Sequence, residues 1–192
     1  MRSFFTRLCF LAPLLLALAS VASNAQTRDY LTDDEIELVR DAQQIDKRVE
    51  VLVHAIDRRF GVLKIEVGAA SKKEAEEWGA LPTGNRSQLL YDIKRIMQKA
   101  IDDIDNLSER PNSMVIEEPD KGKKPKTFSD LFPRAVHNLA TAADRYKVPL
   151  KKQLDTTQDG AEKGSILDML DMCDQISAAV AKLPAEVKKT KN

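Results

Sequence analysis

Four segments of the sequence place apolar side chains at intervals of three and four residues, and this periodicity restricts the fold more than any other feature. The segments cover residues 33–64, 87–109, 129–156 and 160–188. Apolar residues at such intervals lie along one face of an α-helix, whereas a half-buried strand alternates every second residue. Strand-type alternation is nearly absent, so the sequence predicts an all-α protein. The predicted inward residues, segment by segment, are Leu38, Ala42, Ile45, Val49, Leu52, Ile56, Phe60 and Leu63; Leu90, Ile93, Met97, Ala100, Ile104 and Leu107; Phe132, Ala135, Leu139, Ala142, Tyr146, Leu150 and Leu154; and Ile166, Met169, Cys173, Ile176, Val180 and Leu183.

The lengths of these segments favour an up-down-up-down four-helix bundle. At 1.5 Å per residue, helices of this size would be roughly 40 Å long. A short extra helix is predicted at residues 71–78, between the first and second long helices. Pro149 predicts a kink or break near Val148 in the third. Residues 111–126 form a polar linker with three prolines, and residues 186–192 form a basic tail.

The N-terminus has the three-part layout of a secretory signal peptide. Two arginines come first, an apolar run follows over residues 8–22, and small residues then suit cleavage after Ala25. We therefore expect residues 1–25 to be the signal peptide and residues 26–192 to form a single helical domain, exported to the periplasm or secreted. The apolar run is shorter than the roughly 20 residues of a membrane span, and no second apolar run approaches that length, so no transmembrane span is expected after cleavage. Retention of the segment as an anchor stays open.

The charge balance argues against a nucleic-acid partner. The chain has 30 basic and 30 acidic residues, and loss of the two arginines of the signal peptide leaves 28 against 30. Such a chain has no overall positive field to attract phosphate backbones. Cleavage would also remove Cys9 and leave Cys173 as the one thiol, so no internal disulfide is expected.

The stretch YLTDDEIELVRDAQ, residues 30–43, has the features of a helix start. Thr32 at the N-cap and Glu35 three residues later have the spacing of a capping box. Asp33 and Asp34 fall in the first turn, where carboxylates are favoured by the positive end of the helix dipole. Each acid thus has a structural reason, and we interpret the run as a cap and not as an ion site.

Neither histidine is placed to bind haem or a metal. At about 100° per residue, His54 and His137 lie on the opposite faces of their helices from the apolar stripes. The acidic residues Asp102, Asp103 and Asp105 point in different directions on a helix and cannot close on one ion. Because no CxxCH motif occurs either, we expect no cofactor and no metal.

Two lysine-rich segments form a candidate contact for an anionic partner. They would lie at one pole of an alternating bundle, together with the mature N-terminus. Lysines near helix C-termini also aid solubility and match the helix dipole, and this interpretation stays open. The candidate residues are Lys121, Lys123, Lys124, Lys126, Lys188, Lys189 and Lys191.

The function best matched by these features is a non-enzymatic, exported helical module that binds a protein or an anionic component of the envelope. The alternative is a periplasmic stress chaperone, because LTDDE at Leu31–Glu35 resembles the LTxxQ motif of that exported all-helical family, with Glu35 in place of Gln and no second copy. A further alternative is an all-helical enzyme, similar to exported chorismate mutases, which bring Arg, Lys and Glu side chains into the bundle interior. Arg59, at a stripe edge, is the one candidate for such a role. A buried Arg/Glu cluster would favour the enzyme, and an open concave apolar face would favour the chaperone.

Overall fold

Residues 28–68, 76–113 and 125–183 are described by the computed structural model, and within these ranges the chain forms helices and no strand. The all-α prediction is confirmed. None of the helices in these ranges is long and apolar enough to cross a membrane. The predicted signal peptide and basic tail lie outside the described residues. The α-helices are α1 (Asp33–Asp41), α2 (Ile45–Val62), α3 (Arg86–Glu109), α4 (Phe128–Thr156) and α5 (Gly160–Val180).

The predicted capping box opens α1. The Thr32 hydroxyl accepts a hydrogen bond from the Glu35 amide at 3.2 Å, and the Glu35 carboxylate accepts one from the Thr32 amide at 3.0 Å. Two amides that the helix would otherwise leave without partners are thereby bonded. The same device opens α3, where Asn85 and Gln88 exchange the equivalent bonds.

Thr32→Ala is expected to lower the free energy of unfolding by about 1 kcal/mol, because it removes the hydroxyl that accepts from the Glu35 amide. Asp33→Asn, in the same turn but exposed, should cost only a few tenths, as an isolated dipole interaction does. Urea denaturation of the two variants beside the wild type would measure both values. Equal losses in the two variants would contradict the capping role of Thr32.

The first predicted helix is broken in the structure. It was expected to run from residue 33 to residue 64, but α1 ends at Asp41 and α2 begins at Ile45. The break lets α1 fold back along α2, so that Glu35 reaches arginines near the other end of α2. The face of α1 changes accordingly, and Val39 is buried while Leu38 is only partly so. The predicted single helix is wrong because this tertiary ion pairing outweighs a continuous apolar stripe.

The four longer helices pack around one apolar core. α2 and α5 each lie against both α3 and α4, whereas α3 and α4 meet only weakly across the middle. The ring of Phe60 on α2 lies 5.1 Å from that of Tyr146 on α4, centroid to centroid, and both side chains are fully buried. The predicted stripes of these helices are largely buried, as shown by Ile45, Val49, Leu52, Ile56, Phe60, Leu90, Ile93, Met97, Ala100, Ile104, Ala135, Leu139, Ala142, Tyr146, Leu150, Ile166, Met169, Cys173 and Ile176.

Polar contacts between α3 and α5 advance together along both helices. Arg86 donates to Glu162, and about two turns farther on Lys94 pairs with Asp168. The two helices therefore run in the same direction, with their N-termini side by side. The N-terminal end of α3 and that of α5 together form one end of the structure, to which we refer as the cleft end.

The third long helix predicted from the sequence is α4, for which a kink or break was predicted near Val148. α4 passes through Pro149 without interruption, so a break at this residue is excluded, and Val148 beside it is 75% exposed. In the predicted extra helix, Glu76–Trp78 forms one 3₁₀ turn, and residues 71–75 lie outside the described ranges.

The segment before α1 lies across the cleft end. Arg28 donates to the backbone oxygen of Thr83, just before α3, and to the carboxylate of Asp92. α4 begins at the opposite end, because its C-terminal part, through Gln153, accepts a hydrogen bond from Arg86. The N-terminal segment was expected to share a pole with the linker before α4. That expectation is wrong, because Arg28 fastens the segment to the start of α3.

Candidate functional site

A buried carboxylate paired with two buried arginines lies between α1 and α2. Glu35 is completely buried and accepts from Arg58 Nη1 at 2.7 Å. It also accepts from Arg59 Nη1 at 3.0 Å and from Arg59 Nη2 at 2.8 Å. Burial on its own raises the pKa of Glu35, but the bonds and charges of Arg59, the Thr32 amide and Arg58 together hold that pKa below its usual value. Glu35 is therefore kept ionised.

Backbone oxygens take up most of the remaining donors of these arginines. Arg59 donates to the carbonyls of Ala55 at 2.8 Å and Tyr30 at 2.7 Å. Arg58 donates to the carbonyls of Gly79 at 3.3 Å and Ala80 at 2.8 Å. Gly79 has a φ of +57°, a conformation that glycine adopts without strain and that brings this connector over α2. The guanidinium groups are thus enclosed by the fold.

A second carboxylate joins this ionic cluster to the surface. Asp92 on α3 is nearly buried, and it accepts from Arg28 at 3.2 Å and 2.7 Å, one bond to each oxygen. Arg59 Nε lies 3.9 Å from Asp92, too far for a hydrogen bond, and has no hydrogen-bond partner within the described residues. Burial raises the pKa of Asp92, while the charge of Arg28 opposes that rise. Because Arg28 is the partner that pairs closely with it, Asp92 depends on the N-terminal segment for neutralisation.

A cleft lined by both polar and apolar surface opens beside Asp92 at the cleft end. It has a volume of about 610 Å³ and is formed by the N-terminal segment, α3 and the start of α5. The Arg95 guanidinium lies over the Tyr30 ring at 5.1 Å and near the Tyr91 ring at 6.0 Å. A smaller groove of about 320 Å³ continues along α3 and α5 and also includes Arg95. The cleft is lined by Arg28, Asp29, Tyr30, Ser87, Gln88, Tyr91, Asp92, Arg95, Ala161 and Ser165.

The two histidines differ in their surroundings. His137 is exposed, as predicted. His54 was expected to face water but is half-buried, and its ring packs edge-on against Trp78 at 4.2 Å. Trp78 itself is buried and lies 5.5 Å from the Arg58 guanidinium. The prediction for His54 is wrong because the connector after α2 covers that face of the helix. Among the described residues no group of His, Cys, Asp and Glu is arranged to hold a metal ion.

Two buried side chains that could in principle act as nucleophiles or proton donors, Cys173 and Tyr146, are kept in their protonated forms. Burial raises the pKa of the Cys173 thiol to about 12, so the thiolate that acts as a nucleophile is not populated near neutral pH. Burial, together with the neighbouring Asp57 carboxylate, also raises the pKa of Tyr146 well above its usual value. The Tyr146 hydroxyl donates to Asp57 at 2.7 Å, which ties α4 to α2.

The predicted lysine site falls mostly outside the described residues. Lys126 is described, and it is exposed immediately before the N-cap of α4. The other six lysines, at 121, 123, 124, 188, 189 and 191, lie outside the described ranges. The lysine site therefore stays a prediction.

No family model, curated protein or solved structure matches the chain.

The cleft and the ionic cluster were largely missed by sequence reasoning. Arg59 was the one arginine considered for an inward role, and it is indeed buried. The sequence did not predict that Arg58 and Asp92 are buried, because each lies beside an apolar stripe and not within it. A pair of adjacent arginines on an amphipathic helix could have been a clue, since only one side of such a helix faces solvent.

Proposed function

We propose that this protein is exported and acts in the cell envelope by binding a partner, without catalysing a reaction. The observation that carries the proposal is the contrast between the two sites at the cleft end. In the ionic cluster, Glu35 and backbone oxygens accept most of the hydrogen bonds that Arg58 and Arg59 can donate, whereas the neighbouring cleft exposes tyrosine and arginine side chains. Exposed aromatic and arginine side chains are characteristic of binding surfaces.

An enzyme with inward arginines is the second candidate, and the buried Arg/Glu cluster is the observation that favours it. Anionic substrates bind to arginines whose donors are available. In the cluster, Glu35 and the carbonyls of Tyr30 and Ala55 already accept from Arg59. The raised pKa of the Cys173 thiol likewise keeps this side chain protonated, and the protonated thiol is a poor nucleophile. Both observations support a binding role over a catalytic one.

The stress-chaperone alternative predicts apolar surface for unfolded chains. The large apolar side chains exposed in the described ranges are Leu81, Tyr91, Val148 and Leu167, and each lies on a different element. Large contiguous apolar patches are what mark such surfaces. The dispersed placement supports recognition of a defined ligand or partner instead.

The proposal includes the bundle topology and the basic segments. In the proposed bundle the four long helices alternate in direction, so that the linker before α4 and the tail after α5 share one end. Lys121, Lys123, Lys124, Lys126 and the three tail lysines would then attract an anionic surface at the end opposite the cleft. Lysines near a charged membrane contribute about 1 kcal/mol each, screened over about 8 Å at physiological salt.

The experiment is co-sedimentation of the mature protein with anionic vesicles or polyanionic wall polymers. The mature species is first defined by mass spectrometry, which should show cleavage after Ala25. We expect binding at low salt and release at moderate salt. Replacing all seven lysines with Gln should abolish the binding without unfolding the protein, because neither segment lies on an apolar stripe.

A matched control separates position from charge. Lys188, Lys189 and Lys191 replaced with Gln should reduce sedimentation, whereas the same change at three exposed lysines elsewhere should have little effect. The control lysines are Lys64, Lys151 and Lys152. Equal sedimentation of the wild type and the seven-Gln variant would show that the basic segments only aid solubility.

A further inference from the structure

The charged side chains that line the cleft and its adjoining groove are mostly paired with one another. Arg28 is neutralised by Asp92, and Lys94 pairs with Asp168 at 3.2 Å. Arg95 has no ion pair within the described residues. Asp29, which also lines the cleft, likewise has no ion pair or hydrogen bond within the described residues. The cleft therefore presents one cation and one carboxylate that are available to a ligand.

Arg95 is held in a way that leaves its donors accessible. Its guanidinium carbon lies over the Tyr30 ring at 5.1 Å, and its hydrogen bond within the described residues goes from Nη1 to the Tyr91 hydroxyl at 3.3 Å. A cation–π contact of this kind uses no N–H donor, so the N–H groups that do not reach Tyr91 are left for a ligand. Those N–H groups match the two oxygens of a carboxylate.

The size and lining of the cleft suit a small polar organic molecule. Ligand sites commonly have volumes of about 300–1,000 Å³ with a few convergent polar groups. The cleft, at about 610 Å³, lies within this range. The hydroxyl-bearing side chains of Ser87 and Ser165 and the rings of Tyr30 and Tyr91 complete its walls. A purely anionic ligand would leave Asp29 repelling it, whereas a zwitterion satisfies both available charges.

We propose that the cleft binds a zwitterionic ligand of the amino-acid type, either a free α-amino acid or a short unblocked peptide. Its carboxylate binds the edge of the Arg95 guanidinium, its ammonium group faces Asp29, and the tyrosine rings flank the body of the ligand. The inference deepens the proposed binding function and rests on it, since it assigns a ligand class to the exposed cleft.

The test is a nuclear magnetic resonance titration of the mature, isotope-labelled protein with alanine, Ala-Ala and Ala-Phe. At about 10 mM ligand, a site with a dissociation constant of about 1 mM is about 90% occupied. We expect at least one of them to shift the amide signals of residues 28–30 and 87–95. The N-acetylated and the C-amidated forms of the same dipeptide should each bind about tenfold more weakly, since each loses one charge-assisted contact.

Variants of the two charged residues assign the contacts. Arg95→Gln should remove discrimination against the amidated form, and Asp29→Asn should remove discrimination against the acetylated form. Arg40→Gln and Asp33→Asn, at exposed positions on α1, should change neither. Asp171→Asn tests the carboxylate of the adjoining groove, and loss of discrimination in this variant instead of Asp29→Asn would overturn the assignment to Asp29.

Three results would overturn the inference. The first is the absence of shifts at the cleft with all three unblocked probes. The second is equal binding of blocked and unblocked forms, and the third is tighter binding of the acetylated form, which would indicate a simple anion site. The proposed envelope function is tested separately, by sedimentation with envelope components. A failed titration would therefore count against the zwitterion site alone, and failed sedimentation would count against the envelope function.

Discussion

Glu35→Ala is expected to lower the free energy of unfolding by about 3–5 kcal/mol. The substitution removes the carboxylate that lies 2.7 Å from Arg58 Nη1 and 2.8 Å from Arg59 Nη2, and leaves two arginine side chains, 2% and 1% exposed, without it. Breaking one side of a buried ion pair costs more than the pair itself contributes, because the remaining charge stays desolvated. Loss of the capping bond to the Thr32 amide adds to the effect.

Urea denaturation would measure this loss, and a neighbouring glutamate supplies the control. Glu37 is also paired with an arginine, Arg40 at 2.6 Å, but these side chains are 60% and 66% exposed. Glu37→Ala should change the free energy of unfolding by at most about 0.5 kcal/mol, as exposed pairs within a helix do. Comparable losses for the two glutamates would show that the buried cluster is not a main source of stability.

The same residue gives the protein a defined response to acid. The pKa of Glu35 lies below its usual value of 4.5 in the folded protein, so its contribution to stability is complete above that value. The contribution is lost as the pH falls below 4.5 and through the lowered pKa, because protonation then favours the unfolded chain. The Glu35→Ala variant should therefore show a smaller loss of stability than the wild type between neutral pH and the acidic range.

Phe60→Ala is expected to lower the free energy of unfolding by about 3–5 kcal/mol. Phe60 is completely buried on α2, and its ring packs against Tyr146 of α4. Truncation leaves a cavity at this contact, where Tyr146 is additionally held by its bond to Asp57 and cannot easily move to fill the space. The loss would appear as a lower urea midpoint with an unchanged slope.

A second phenylalanine provides the comparison for Phe60. Phe132 lies in the first turns of α4, is only partly buried and stacks on Phe128 at 4.9 Å. Phe132→Ala should cost less than half as much, because part of its ring already contacts solvent. The reverse order would mean that the core of the folded protein is centred at the start of α4 and not between α2 and α4.

Much of the fold follows from local patterns, and these were predictable. The capping box at Thr32 depends on residues three positions apart, and the apolar stripes depend on the helical repeat, so both are contained in short segments. The break between α1 and α2 was not predictable in this way. Residues 42–44 include no glycine or proline, and Gln44 caps α2 without a side-chain bond. The turn exists because Glu35 pairs with arginines more than twenty residues away.

The candidate site depends on the same non-local contacts. Glu35 was predicted only as a capping residue, yet one carboxylate serves both the cap and the ion pairs. Asp92 and Arg28 are 64 residues apart, and nothing in either segment indicates the other. The polar residues of the cleft likewise come from three elements. Local spacing carries no information about which helix faces which, so the cleft emerged only with the tertiary structure.

If the protein is exported as proposed, the clamp of Arg28 on Asp92 has a consequence for the order of events during export. If the signal peptide ends at Ala25, only Gln26 and Thr27 separate the cleavage point from the clamp. Two residues span at most about 7 Å, which is too short for a protease to grip an extended chain beside a docked Arg28. Signal removal would then come first and docking of the N-terminal segment second. On this sequence of events, the cleft acquires its final wall only after the protein has been released from the membrane.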